Sequence, residues 1–194
     1  MSLVIKDGQT GDTAQVDANN RLVTMSIIQS GGVDSALEGN LYNINTETIV
    51  LTSDNASSLL YIKNTDSVPW IVDRVFYNAG TSTGGTGDFL AEVVANASTG
   101  TLISAGTAIT PHNLNFSSNK SLAATTLKGV EGSTLTNGDV RVSTIIPASG
   151  VRVLIPFDSI VMEPGSSLSV TITPQTGNTN MSIQVGLNLH RYTD

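Results

Sequence analysis

The chain of 194 residues has no cysteine, few aromatic residues and an unusually low share of charged ones. Without cysteine, neither a disulfide nor a thiolate nucleophile nor a thiolate metal ligand is available, so packing or partner subunits must supply the stability. Charged residues make up 13% of the chain, against about a quarter in ordinary globular domains. Aromatic residues make up 5%, which leaves few of the flat rings that sugar-binding clefts use as stacking platforms.

Positive charge is especially scarce. Nine Lys and Arg stand against sixteen Asp and Glu, the net charge is −7, and the basic residues are scattered singly. No basic patch is available to neutralise a phosphate backbone, so a nucleic-acid partner is not expected. The acidic surface disfavours anionic lipid, and no apolar run approaches the roughly 18 residues of a membrane span. The N-terminus "MSLVIKDGQT" shows no secretory signal pattern, so we expect synthesis inside the cell.

Neutral polar residues take the place of the missing charged and aromatic ones. Ser, Thr and Asn supply roughly a third of the chain, and with 18 glycines they favour turns and exposed strand faces over helix surfaces. From Arg21 onward apolar and polar residues alternate, which is the period of half-buried strands. The pattern predicts strands at 21–28, 41–44, 48–52, 57–64, 69–78, 89–95, 139–146, 151–157 and 159–162, a short helix at 34–38, and weaker strand signals at 101–105, 114–116 and 121–127.

The clearest unit is the last, residues 163–192. Leu168, Val170 and Ile172 alternate with Ser and Thr, the turn cluster "PQTGNTN" follows, and a second alternating run extends from Met181 to Leu189. Two such runs joined by a turn cluster are typical of a β-hairpin. With roughly eight to ten strands in all, the pattern predicts an antiparallel β-sandwich or jelly roll rather than a parallel sheet.

The residues that could carry catalysis show no motif. His112 is predicted to lie in a loop and His190 at a strand edge or interface, and no G-x-S-x-G nucleophile elbow occurs. Glycosidases need two opposed carboxylates, for which any acidic residue is a candidate. The carboxylates considered are Asp73, Asp88, Glu92, Asp139, Asp158 and Glu163. We assign no catalytic residue and predict a protein that is not an enzyme.

Neither a metal nor a cofactor is predicted. A calcium site could be considered at the three nearby carboxylates Asp7, Asp12 and Asp17. Their spacing does not match the D-x-[DN]-x-[DN]-G pattern of a calcium-binding loop. Tight turns explain these aspartates more simply. The loop "GGTGD" at 84–88 lacks the Gly-Lys-Ser/Thr ending of a phosphate-binding loop.

The stretch "IKDGQTGDTAQVDANNRLVT", residues 5–24, resembles the N-terminal segment of a group of tailed-bacteriophage virion proteins in which such a ribbon precedes a β-rich body. Residues 59–67 and 163–174 are also similar to stretches of those bodies. The resemblance implies a capsid decoration protein or another virion structural protein, with a jelly-roll domain, a homotrimeric assembly and no catalytic residues. The matching positions are Ile5, Asp7, Gly8, Gly11, Ala14, Val16, Asp17, Arg21 and Leu22.

The residues themselves also favour an assembly role for this segment. Its apolar side chains are too sparse to form a core, so an ordered segment must lie on its own body or on a neighbour. Burying three or four of them contributes roughly 1.5–3 kcal/mol each, against roughly 1–2 kcal/mol for each backbone residue ordered. The contact therefore needs backbone pairing, which strand addition supplies.

We therefore predict an all-β protein, a jelly-roll-like antiparallel β-sandwich (25–194) with an extended N-terminal docking arm (1–24). The expected function is that of a capsid decoration subunit in the virion, contacting the major capsid protein or other virion proteins as a homo-oligomer. One alternative is a receptor- or carbohydrate-binding head of a phage fibre, with loops 79–88 and 96–138 as its site, and another is a hydrolase using Asp or Glu. The docking residues are Val4, Ile5, Asp7, Gly8, Gly11, Ala14, Val16, Arg21 and Leu22.

Overall fold

A computed structural model describes residues 35–80, 82–84, 88–147, 152–178 and 180–192, with the side chains of 152–159 left out. The predicted arm (1–24), the strand predicted at 21–28 and the domain boundary at residue 24 lie outside the described residues.

The described residues form twelve strands, a helical turn at 35–37 and one further short helix. The helix spans Thr101–Ala105. The strands are β1 Leu41–Asn45, β2 Ile49–Leu51, β3 Ser57–Asn64, β4 Trp70–Ala79, β5 Phe89–Ala95, β6 Thr107–Ala108, β7 His112–Asn113, β8 Ala124–Lys128, β9 Asp139–Ile146, β10 Arg152–Met162, β11 Ser167–Pro174 and β12 Met181–Arg191.

The strands form two sheets in which every pairing is antiparallel. Sheet I has the order β10-β4-β12-β1-β7, with β2 also paired to β12. Sheet II has the order β6-β8-β3-β11-β5-β9.

The chain path is that of a jelly roll. The longer strands pair as the nested set β1–β12, β3–β11, β4–β10 and β5–β9. Nested antiparallel pairs arise when one long hairpin is rolled up, so that its two arms are shared between facing sheets. The predicted fold class is confirmed.

One continuous core lies between the sheets. The residues that alternate along β12 from Met181 to Leu189 are fully buried, and they meet apolar side chains of sheet II such as Leu60 and Val170. Each such side chain contributes about 1.5–3 kcal/mol relative to an exposed one. The alternation read from the sequence is therefore the pattern of the buried face.

A bulge interrupts the alternation of inward and outward residues along β4. Val72 is opposite Leu189 and Arg74 is opposite Asn188, so Asp73 has no partner on β12. Since two residues of β4 face one of β12, the side-chain alternation shifts by one residue there.

The shift turns Phe76 toward the outer face of sheet I, where it covers Gly186 of β12. The two residues are opposite each other, and Phe76 is 6% exposed. A Cβ on Gly186 would stand 2.2 Å from Phe76 Cζ and 2.8 Å from the backbone oxygen of Ile44. The outer face of sheet I thus contains a second, small packing site.

Uncharged amides form a ladder across the same outer face. Asn78 Nδ2 donates to Gln184 Oε1 at 2.8 Å, and Gln184 Nε2 donates to Asn45 Oδ1 at 3.5 Å. Asn45 Nδ2 donates to Asn43 Oδ1 at 3.1 Å, and Asn43 Nδ2 donates to Asn188 Oδ1 at 2.8 Å. The ladder links strands β4, β12 and β1 without a charged group.

The predicted C-terminal hairpin is wrong. Strand β11 pairs with β3 and β5 in sheet II, whereas β12 pairs with β1, β2 and β4 in sheet I. The connection 175–180 therefore crosses from one sheet to the other. Alternation shows which face of a strand is buried, but the pattern is the same whether the next strand along the chain pairs with it or lies in the facing sheet.

Two local predictions also fail. Residues 101–105 are helical rather than extended, with Leu102 anchored in the interior, and residues 114–116 form no strand. The strands predicted at 151–157 and 159–162 are one strand, β10, because a register shift between Pro156 and Ile160 lets the pairing with β4 continue.

Gly186→Ala is expected to lower the free energy of unfolding by about 1–3 kcal/mol, because the Phe76 ring or the Ile44 backbone must move to admit the new methyl group. Urea unfolding measures the loss, with Ser182→Ala on the same strand as control. In the double variant with Phe76→Ala the two losses should be less than additive, since the clashing ring is gone. Equal midpoints for Gly186→Ala and the wild type would contradict this packing.

Candidate functional site

The nine docking residues predicted between Val4 and Leu22 lie outside the described residues. Candidate sites within the described part of the chain are a histidine–aspartate pair, a groove over sheet II, and two exposed apolar features on opposite sides of the sandwich. We take them in that order.

His190 and Asp73 form the only histidine–carboxylate pair among the described residues. His190 Nδ1 lies 2.9 Å from Asp73 Oδ1, and both side chains are largely buried. The β4 bulge places Asp73, while His190 lies on β12. Because β12 runs between β4 and β1, His190 belongs to the middle of a sheet rather than to the predicted edge.

The other candidates considered for catalysis are dispersed. His112 is exposed and lies on the two-residue strand β7 rather than in a loop. Asp139 pairs with Arg141 at 3.3 Å at the start of β9, and Glu163 is exposed just after β10. Asp88 precedes β5, and the side chain of Asp158 lies outside the described residues. Glu92 lines a groove over sheet II.

The outer groove lies over the outer face of sheet II and has a volume of ≈ 310 Å³. Its floor includes Ser58, Glu92 and Thr171, with Ser58 Oγ and Thr171 Oγ1 2.9 Å apart. Residues 133–138 line its side. The floor offers hydroxyl and carboxylate groups that can exchange hydrogen bonds with a polar ligand.

Glu131 anchors the loop that carries the groove wall. Its Oε1 accepts hydrogen bonds from the backbone N–H groups of Thr52 and Ser53 at 2.8 and 2.7 Å, and its carboxylate also accepts from both hydroxyls at 2.7 Å. The Thr52 and Ser53 side chains hold the pKa of Glu131 below its ordinary value of 4.5. The charged form of Glu131 is therefore the one that fixes this loop.

The first apolar feature, which we call the knob, is the loop 114–118 with Phe116 at its tip. Phe116 is 96% exposed, and Leu114 in the same loop is 36% exposed. Leu37, on the neighbouring helical turn, is 69% exposed. Single exposed apolar residues are ordinary, but a phenylalanine presented almost entirely to solvent beside two leucines is not.

Hydrogen bonds hold the knob in place. The backbone N–H of Leu114 donates to the Leu41 carbonyl at 2.9 Å. The Asn115 side chain donates to the Leu37 carbonyl at 3.0 Å and accepts from the backbone N–H of Ser117 at 3.0 Å. The ring is thus displayed on a fixed backbone, which lowers the entropy cost of a contact.

The second apolar feature, which we call the seam, is a cavity of ≈ 350 Å³ between the sheets. It lies where β5 and β9 of sheet II approach β10 of sheet I, and Val161 at its mouth is 53% exposed. Asn96, Arg141, Ser166 and Ser167 supply polar groups. Its apolar lining consists of Val93, Ala95, Ile160, Val161, Met162 and Leu168.

The edge strands on the two sides of the sandwich differ in length. On one side the edge strands β6 and β7 have two residues each, whereas on the other β9 has eight and β10 has eleven. Short edge strands protect against edge-to-edge association, and long ones invite it. The side with the long edge strands carries three exposed apolar residues, Val140, Ile145 and Val161. The knob follows β7 on the other side.

No family model, curated protein or solved structure matches the chain. None of the described helices is long and apolar enough to cross a membrane. Among the residues that the structure describes, no group of three His, Asp or Glu side chains is placed to hold a metal ion.

Sequence reasoning missed the histidine–aspartate pair, the knob and the seam. Asp73 and His190 are 117 positions apart, and only the sheet register brings them together. Phe116 lies in the run "NLNFSSN", whose short alternation predicts a weak strand rather than an exposed loop. Its place among polar neighbours was the one available sign of exposure.

Glu131→Gln is expected to lower the melting temperature at pH 7, because the charged acceptor of four hydrogen bonds is lost. A carboxyl group whose folded pKa is lowered contributes stability above its unfolded pKa and loses it as the pH falls through the folded value. The difference from the wild type should therefore shrink below about pH 4.5. Thermal unfolding at pH 7 and pH 3 measures it, and Glu163→Gln is the control. A difference that stays the same at both pH values would contradict the anchoring role.

Proposed function

We propose that this protein is a nonenzymatic structural subunit of a bacteriophage virion, most specifically a capsid decoration subunit that attaches to the particle through residues 1–24. The observation that carries the proposal is the N-terminal ribbon at 5–24, which resembles that of virion proteins and precedes a β-rich body. The jelly-roll body supports it, since such domains recur in viral capsids.

The surface of the body is compatible with close contacts between subunits. The outer face of sheet I carries uncharged amides, and Phe116 of the knob and Val161 at the seam are more than half exposed. An apolar centre within a polar, weakly charged surround is the usual composition of a protein interface. We propose a homo-oligomer, with a homotrimer as the state that the resemblance favours.

Deleting residues 1–20 is expected to abolish binding to the virion while leaving the β-sheet circular dichroism spectrum unchanged, because the body carries its own core. Mass spectrometry of purified particles first identifies the phage whose virions contain the protein. Particles prepared without the protein are then mixed with each variant, and sedimentation measures how much is bound.

The control carries residues 1–20 in scrambled order, which preserves length and charge. The proposal expects neither the scrambled nor the deleted chain to bind. Undiminished binding of the deleted chain would contradict docking through this segment, and absence of the protein from purified particles would contradict the virion assignment.

A second candidate function is recognition of a receptor or carbohydrate by a fibre head. The outer groove favours it, because its wall comes from the 96–138 tract and its floor offers Ser58, Glu92 and Thr171 to ligand hydroxyls. The loop 79–88, the other part of that expected site, is described only at 79–80, 82–84 and 88.

A glycan array tests this second function. If the groove binds a sugar, reproducible binding should fall at least tenfold in Glu92→Gln, because a charged hydrogen-bond acceptor is lost. The exposed carboxylate variant Glu163→Gln should bind as the wild type does. No binding by the wild type, or equal binding by both variants, would count against the groove.

A further inference from the structure

The knob and the seam complement each other. The knob is an exposed phenylalanine held on a fixed loop, and the seam is an open apolar cavity. An apolar cavity of about 150 Å³ is large enough to hold a benzene ring, and the seam has ≈ 350 Å³. The cavity is therefore large enough to admit the Phe116 ring.

One molecule cannot join its own knob to its own seam. The knob follows β7, at one end of sheet I, and the seam adjoins β10, at the other end, with β1, β12 and β4 between them. At about 4.8 Å for each strand spacing, the two features are separated by roughly 19 Å across the sheet. Contact between them therefore requires a second copy of the chain.

We propose that Phe116 of one copy inserts into the seam of the next copy, so that the subunits join head to tail. Such a contact uses two different surfaces, and it closes into a ring when the rotation between copies allows. This inference rests on the proposed function only for the expectation of a closed homo-oligomer. The knob and the seam themselves come from the described structure.

Charge does not oppose the contact. Beside the knob, Lys120 donates to Asn40 Oδ1 at 3.2 Å and Glu38 accepts from Asn40 Nδ2 at 3.0 Å, so one charge of each sign lies there. Near the seam, Arg141 pairs with Asp139 and Glu163 is exposed. Two weakly charged surfaces can meet without strong repulsion, and burial of the ring supplies the attraction.

The first experiment places a charge on each surface. Phe116→Asp and Val161→Asp should each reduce the mass measured by light scattering to that of one 20.2 kDa chain at a concentration where the wild type is oligomeric. Both wild-type side chains are more than half exposed, so neither change disturbs the core, and circular dichroism checks the fold. Val130→Asp is the control, because Val130 is 66% exposed but belongs to neither feature.

Mixing the two variants gives the sharper test. The Val161→Asp chain keeps an intact knob and the Phe116→Asp chain keeps an intact seam, so an equimolar mixture should form a one-to-one heterodimer. No third chain can join the heterodimer by a head-to-tail contact. Its free knob carries Phe116→Asp and its free seam carries Val161→Asp. A knob-to-knob contact predicts no heterodimer and leaves Val161→Asp oligomeric.

A monomeric wild type, or an oligomer whose mass survives Phe116→Asp, would overturn the inference. Either result leaves the proposed function separately testable, because particle binding is measured with the intact N-terminal segment. A Phe116→Asp monomer that still binds particles would support both proposals, whereas an oligomer that is absent from particles would contradict only the proposed function.

Discussion

Burial of β12 between its neighbours and the facing sheet is the constraint on which the rest of the structure depends. Its five alternating apolar residues, Met181 to Leu189, are fully buried, and β1, β2 and β4 all pair with it. Because the strand lies in the middle of sheet I, its register decides where each neighbour stands. The bulge at Asp73, the Asp73–His190 pair and the cover of Phe76 over Gly186 all follow from that register.

The jelly-roll path also determines which surfaces remain for partners. Nested pairing gathers β9 and β10 on one side of the sandwich and the short strands β6 and β7 on the other. The two sides are therefore chemically different, one with long edges around an apolar cavity and one with a phenylalanine on a tied loop. A head-to-tail contact, which joins two different surfaces, is the kind of contact that such unlike sides can form.

The sequence predicted the strands well and their partners poorly. The predicted bounds of β3, β5 and β9 agree with the structure. In β5 buried residues alternate with partly exposed ones, which is a local property of the chain, whereas β3 is buried at almost every position. The C-terminal hairpin was wrong because nothing local says whether 168–172 and 181–189 lie in the same sheet or in two facing sheets, since their alternation is the same in both cases. The Asp73–His190 pair could not be predicted, since a single bulged residue and a long-range register create it. The predicted docking residues lie outside the described part of the chain.

The amide ladder from Asn78 to Asn188 has a consequence for how this face responds to its medium. Dissolved ions screen charges, and pH acts through titratable groups, but a carboxamide neither titrates nor carries a net charge. The hydrogen bonds of the ladder should thus change little with ionic strength or pH, whereas the exposed Arg74 opposite Asn188 still responds to salt. Asparagine and glutamine give the ladder a constancy that lysine and glutamate cannot provide.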